Sequence, residues 1–208
     1  MRIGEQILRR TAIVAGVMVL AACGVDGTPV SAGQPGAPAP AAPTVAADRV
    51  DALLVPVSAV PGGLDPAGSA SSPSTMSLGC VGDDASWFGP TTEGFRSARY
   101  SGVGNRYVAQ AVGVYSSADE AASVFQAGAQ RVRSCGSDSL FIDAVSADRA
   151  DWHFTGTSAV SGATGTMAGY TAGVVDNVVY RVSAGLFDDP VAVANSVAGG
   201  IIANVRAG

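Results

Sequence analysis

The chain has 208 residues, a formal net charge of −5, and no lysine among its 12 basic residues. An acidic chain without an arginine cluster is a poor partner for nucleic acid, and it gains no electrostatic pull toward anionic lipid head groups. Three cysteines is an odd count, and in an exported chain an odd cysteine needs its own explanation.

The first 23 residues supply it. Arg2, Arg9 and Arg10 make a positive start, and "TAIVAGVMVLAA" follows over 11–22. About 20 apolar residues are needed to cross a bilayer, so this run is too short to span one. A positive flank, a short apolar core and small residues before a cut site describe a secretory signal peptide. "LAAC" at 20–23 matches the bacterial lipobox, which places the cut before Cys23 and makes that cysteine the acylated mature N-terminus. Each buried CH₂ contributes about 0.8 kcal/mol, so two or three acyl chains hold where one is marginal. The alternative is an ordinary signal peptide with a chance cysteine. Removing residues 1–22 leaves 9 basic and 16 acidic residues, a net charge of −7.

Residues 23–46 are rich in Pro, Ala, Gly and Ser with almost no charge. Such a stretch buries nothing and reads as a semi-extended tether. The globular part is expected over 47–208, long enough for a real core.

Within it, 46–57 reads as a short helix that presents Val50, Leu53 and Leu54 on one face and ends at Pro56. Residues 58–79 read as a long loop rich in Gly, Ser and Pro. "GFRSARYSGV" (94–103) and "RYVAQAVGVY" (106–115), joined at Gly104-Asn105, read as a hairpin. Residues 117–135 are the best helix: Ser117 and Glu120 form a capping box, Arg131 and Arg133 suit the last turn, and Gly136 stops it. Its apolar face is Ala121, Val124, Phe125 and Val132. Four strands follow, over 139–145, 151–160, 165–174 and 177–186. Asp189-Pro190 then opens a final helix with Val193, Val197, Ile201 and Val205 on its apolar face. The expectation is an α+β domain, an antiparallel sheet of five to six strands with helices packed on one face.

After export Cys80 and Cys135 meet an oxidising space, where disulfides persist. A bridge between them closes a loop of about 56 residues and contributes about 4 kcal/mol by chain entropy. The alternatives are free thiols or a metal site. A metal site needs more ligands than these, and the one histidine, His153, offers no cluster. No cofactor is implied.

"YVAQAVGVYSSADEAASVFQAGAQRVRSC" resembles the core of the PknH-like extracellular sensor domain. That domain forms the outer part of a mycobacterial receptor kinase and occurs in many mycobacterial lipoproteins. "NVVYRVSA" and "DPVAVANSVAGGIIANV" resemble its last strand and C-terminal helix. The resemblance implies a cleft that receives a ligand and a disulfide like Cys80–Cys135. It also implies a second disulfide near the last hairpin. The matching places here are Ala168 and Gly185, so that bridge is missing.

Catalytic signatures are lacking: no G-x-S-x-G, P-loop or H-E-x-x-H occurs. His153 would need a nucleophile and an orienting carboxylate, for which Asp151 is the nearest in sequence. The alternative is a strand histidine beside Trp152. Asp83-Asp84 and Asp188-Asp189 read as a solvated loop and a helix N-cap, with Ca²⁺ ligation as the alternative. Trp87, Tyr100, Tyr107, Trp152 and Tyr170 are the aromatics expected to line a cleft, with core packing as the alternative. The expected function is non-enzymatic: an envelope lipoprotein, held at the membrane by Cys23, whose sensor-like domain binds a small ligand. The alternatives are a lipoprotein that docks another envelope protein and, behind it, an envelope hydrolase.

Overall fold

The computed structural model describes residues 44–74, 79–157 and 164–208. The signal peptide, Cys23 and the tether up to residue 43 lie outside the described residues. Val45 is already tied into the domain: its N–H donates to Asn177 Oδ1 at 2.7 Å, and Asn177 Nδ2 donates back to its carbonyl at 2.9 Å.

Seven antiparallel strands form one sheet. They are β1 (Asp65–Ala70), β2 (Gly94–Ser101), β3 (Tyr107–Val114), β4 (Leu140–Val145), β5 (Arg149–Thr157), β6 (Thr164–Val175) and β7 (Val178–Gly185). Their order across the sheet is β1-β2-β3-β7-β6-β5-β4. Among the described residues four α-helices accompany them: α1 (Val50–Leu53), α2 (Asp84–Phe88), α3 (Ala118–Ser134) and α4 (Pro190–Arg206). The α+β expectation holds, with seven strands in place of five to six.

The extra strand is β1, inside the stretch read as loop. Its sequence, DPAGSA, is almost wholly exposed and carries no apolar alternation. It exists because its backbone pairs with β2, from Asp65 opposite Ser101 to Ala70 opposite Ser97, across a bulge between Pro66 and Gly68. Pro and Gly are tolerated there because β1 is an edge strand.

The helices cover both faces of the sheet, not one. Along β7, Val178, Tyr180, Val182 and Ala184 pack against Ala194, Val197, Ile201 and Val205 of α4 and against Val50 and Leu53 of α1. The alternate residue Val179 joins the opposite core, with Trp87 and Phe88 of α2 and Ala121, Phe125, Ala129 and Val132 of α3. Successive side chains of a strand point to opposite faces. With Tyr170, Ala172 and Val174 of β6 in the same core as Val179 and Val178, Tyr180 and Val182 of β7 in the other, both faces of the sheet need cover.

The first predicted helix is shorter than expected. A 3-10 turn, Ala47–Arg49, runs into α1, and Leu54 is already extended, as the residue two before Pro56. The released Val55 is captured by a buried glutamine: Gln110 Oε1 accepts from its N–H at 3.0 Å and Gln110 Nε2 donates to its carbonyl at 2.7 Å. Helix α4 approaches this segment at Gly200, where a Cβ would stand 2.6 Å from Val55 Cγ2. That glycine gives up helix propensity for close packing.

At the start of α3, Ser117 Oγ accepts from Glu120 N–H at 3.2 Å. The Glu120 carboxylate bonds Ser116, one residue earlier than a capping box requires.

Candidate functional site

Helix α3 closes its face of the sheet only in part. Beyond it, strands β2, β3 and β7 present a row of small side chains, and a cleft of about 530 Å³ opens above them. Its floor includes Ser97, Ala109, Ala111 and Ser183. The register lines these up: Ser97 lies opposite Ala111, which lies opposite Arg181, while Arg99, Ala109, Ser183 and Tyr170 form the neighbouring cross-strand row. No bulky side chain rises from these small positions, so the space over the sheet is left open. Its volume is that of a small-molecule site.

Arg181 is the cation at the floor. It is 4 % exposed. Its Nη1 donates to Asp84 Oδ1 at 3.1 Å, and its guanidinium lies 5.8 Å from the ring centre of Trp87. Burial pushes the Arg181 pKa down, and the Asp84 charge pulls it back up. Burial likewise pushes the Asp84 carboxyl up, with Arg181 opposing. Each member of the pair is thus desolvated and stabilised chiefly by the other.

Several local devices aim Asp84 at the cleft. Asp83 caps α2 in a full capping box: its Oδ1 accepts from Ser86 N–H at 2.7 Å, and its own N–H donates to Ser86 Oγ at 3.0 Å. These bonds to Ser86 hold the Asp83 carboxyl below the usual carboxylate range. The first helical residue, Asp84, is left to meet Arg181. The cysteines read from sequence form a disulfide, Cys80–Cys135, with a Cα separation of 5.4 Å. It fastens the turn before α2 to the C-terminus of α3. Arg131 Nη2 donates to Ser86 O and repeats that tie.

The five aromatics expected at a cleft divide between core and site. Tyr107 and Tyr170 line the cleft. Trp87 and Trp152 are fully buried behind it. They continue a stack: Trp87 on Trp152 at 5.6 Å and 6°, Trp152 on Tyr170 at 5.4 Å and 8°. Trp87 is anchored by Nε1 donating to Val81 O at 2.7 Å and fits against α3 at Gly128, where a Cβ would collide with the indole. Tyr100 points to the opposite face and donates from its hydroxyl to Val55 O at 2.9 Å. Burial, with Tyr107 next to it, pushes the Tyr170 hydroxyl pKa up. Ala168 and Gly185 do lie directly opposite each other in β6 and β7. The Tyr107 ring occupies the place a Cβ at Gly185 would take.

Sequence reasoning misses Arg181 and Arg99, and it singles out Asp84 only as half of an acidic pair. Arg181 has a visible signal, a charge in the middle of an apolar strand. The role of Asp84 has none, since its partner is 97 residues away.

His153 sits apart, on β5. Its Nδ1 lies 2.9 Å from both oxygens of Asp143, and its ring stacks on Phe141. Asp151, the carboxylate expected beside it, bonds Arg149 instead. Asp143 reaches the histidine because a bulge between Ile142 and Ala144 turns it aside. No group of three or more His, Cys, Asp or Glu suited to a metal occurs among the described residues.

A family model described as the PknH-like extracellular domain matches residues 45–204. Among solved structures, the extracellular domain of PknH from Mycobacterium tuberculosis superposes with a TM-score of 0.65 at 20 % identity, covering 80 % of this chain and 99 % of that one. At that identity the likeness is one of fold. No curated protein matches.

Proposed function

Because the chain belongs to the family of PknH-like extracellular domains, we propose that it is a non-enzymatic ligand-binding lipoprotein of the cell envelope. Cys23 carries the lipid, residues 24–43 act as the tether, and the domain from Val45 onward holds a small molecule in the cleft over β2, β3 and β7. The observation that carries this reading is the cleft: small side chains leave the sheet open around a buried arginine. A face meant only for stability would carry bulky side chains there, as the α4 face of the same strands does.

Two experiments test the two halves. Replacing Cys23 with Ala in the producing cell should move the protein from the membrane to the soluble fraction and abolish acyl labelling; retention at the membrane with label intact overturns the anchor. Hydrogen exchange of the full chain, with and without a small-molecule extract of the envelope, should show protection at 107–111 and 181–183. Protection confined to β4 would favour a second reading, docking of another envelope protein. That reading has its own observation: β4 is an edge strand whose Phe141 and Ile142 are 47 % and 42 % exposed.

A further inference from the structure

Resting on the ligand-binding reading, we propose that the cleft takes its ligand through a phosphate group carried on a small polyol, and that this phosphate displaces Asp84 from Arg181.

Arg181 is short of acceptors. A guanidinium has five N–H donors. Among the described residues, the hydrogen bond from Arg181 to a protein acceptor is the single one to Asp84. A cation so buried is expensive unless several oxygens surround it. The side chain nevertheless lines an open cleft. A phosphate entering from that side offers oxygens to the remaining donors, in the two-pronged geometry that guanidinium groups favour.

The lining of the cleft carries an excess of positive charge. The molecule as a whole is acidic, at −5. Its cleft is not: Arg181 and Arg99 face one carboxylate, Asp84. Arg99 is exposed at the β2 rim and rests its guanidinium 5.6 Å from the ring centre of Tyr107. No carboxylate pairs with it among the described residues. β2 and β7 are separated by one strand, about 10 Å in all. That span accommodates a small ligand with its anion on Arg181 and its body reaching toward Arg99.

Ser97, Ser183, Tyr107 and Tyr170 bring hydroxyls to the same space. Hydroxyls both donate and accept, which suits a polyol body. Exchange at Arg181 also reaches beyond the cleft. Asp84 opens α2, and α2 is tied to α3 through Ser86 and Arg131. Releasing Asp84 therefore loosens one end of a helix that carries Trp87.

The chain contains two tryptophans, Trp87 and Trp152, and both belong to the ring stack behind the cleft. Intrinsic fluorescence of the full chain in detergent is therefore the readout. The probes are glycerol 3-phosphate, with glycerol as its neutral control, and vesicles of phosphatidylglycerol against phosphatidylcholine. The expected result is a saturable change with glycerol 3-phosphate and none with glycerol. Arg181→Met should weaken binding at least tenfold, Arg99→Gln several-fold, and Asp84→Asn should tighten it by removing the competitor. Arg99→Gln and Asp84→Asn keep the test valid should the buried Arg181→Met variant fail to fold. A response to phosphatidylglycerol vesicles alone, lost in Arg99→Gln, assigns the phosphate to a lipid head group. Equal responses to glycerol and glycerol 3-phosphate, or tightness unchanged in both Arg99→Gln and Asp84→Asn, overturn the proposal. Silence toward every probe also overturns the phosphate class. A neutral molecule copurifying in the cleft would then leave the ligand-binding reading standing without it.

Discussion

The two faces of the sheet are built from alternate residues of the same strands, yet they do different things. On the α4 face, Val108, Val112 and Val114 of β3 pack in one core with Val197, Ile201 and Val205. The polar residue in that layer, Gln110, has Val55 and Tyr100 as partners. On the other face, β3 reads Tyr107, Ala109, Ala111 and Gly113. Only its far end is filled: Gly113 has no room for a Cβ because Phe88 stands 2.7 Å from where it would be. At the near end, Ala109 and Ala111 leave space. Stability is concentrated where side chains are large, and the candidate site lies where they are small.

That contrast can be broken from either side. The largest effect is expected from Cys80→Ser with Cys135→Ser. Chain entropy puts the loss at about 4 kcal/mol. Hydrogen exchange should rise first in α2 and the end of α3, with α4 still protected. Next comes Ile201→Ala, which empties a fully buried position on the α4 face. A cost of about 3 kcal/mol is expected from thermal melts, with cleft binding unchanged in the folded fraction.

Alkaline titration sharpens the comparison further. Burial pushes the Tyr115 hydroxyl up to about 12. Its unfolded counterpart ionises near 10. Between these values the unfolded chain has lost a proton that the folded chain keeps, so the stability contribution is whole below pH 10 and falls as pH rises to 12. The loss attributable to this group is about 3 kcal/mol. Tyr115→Phe should flatten part of that slope, though it also deletes the bond from the Tyr115 hydroxyl to Phe88 O at 2.6 Å. Tyr170 and Tyr180 are shifted upward by burial as well and add slope of the same sign. The smallest effect on stability is expected from Ala109→Leu. It places a bulky side chain in open space, so melts should move by less than about 1 kcal/mol, while ligand binding is lost.

Much of this architecture is legible in the local chemistry of the chain. Ser117 caps α3 and Asp189-Pro190 opens α4, because caps are local chemistry, whereas α3 ends at Ser134 with Cys135 as its C-cap. The hairpin of β2 and β3 is legible from its alternation and its Gly104-Asn105 turn, both of which carry positive φ. β1 is not legible, because its residues contribute backbone pairing and almost no buried side chain. The second helical layer is not legible in "VVYRVSAG": one parity is apolar, Val178, Tyr180, Val182 and Ala184, while the other has Val179 beside Arg181, Ser183 and Gly185. Tyr107 and Tyr170 can be named from sequence as aromatic candidates, but Trp87 and Trp152 look the same there and belong to the core behind them. Trp152 and Tyr170 even stand opposite each other in β5 and β6; what separates the pairs is the full burial of Trp87 and Trp152 among residues of α2 and α3, and such long-range packing is not written in local pattern.

The most direct test of the central claim is native mass spectrometry of the full chain, purified from an actinobacterial host with its disulfide intact, as wild type and as Ala109→Leu. The expected result is an adduct on the wild type that vanishes on denaturation and is missing from the variant, whose stability stays within about 1 kcal/mol of wild type. A clean protein mass in both, or the same adduct on both, would contradict it.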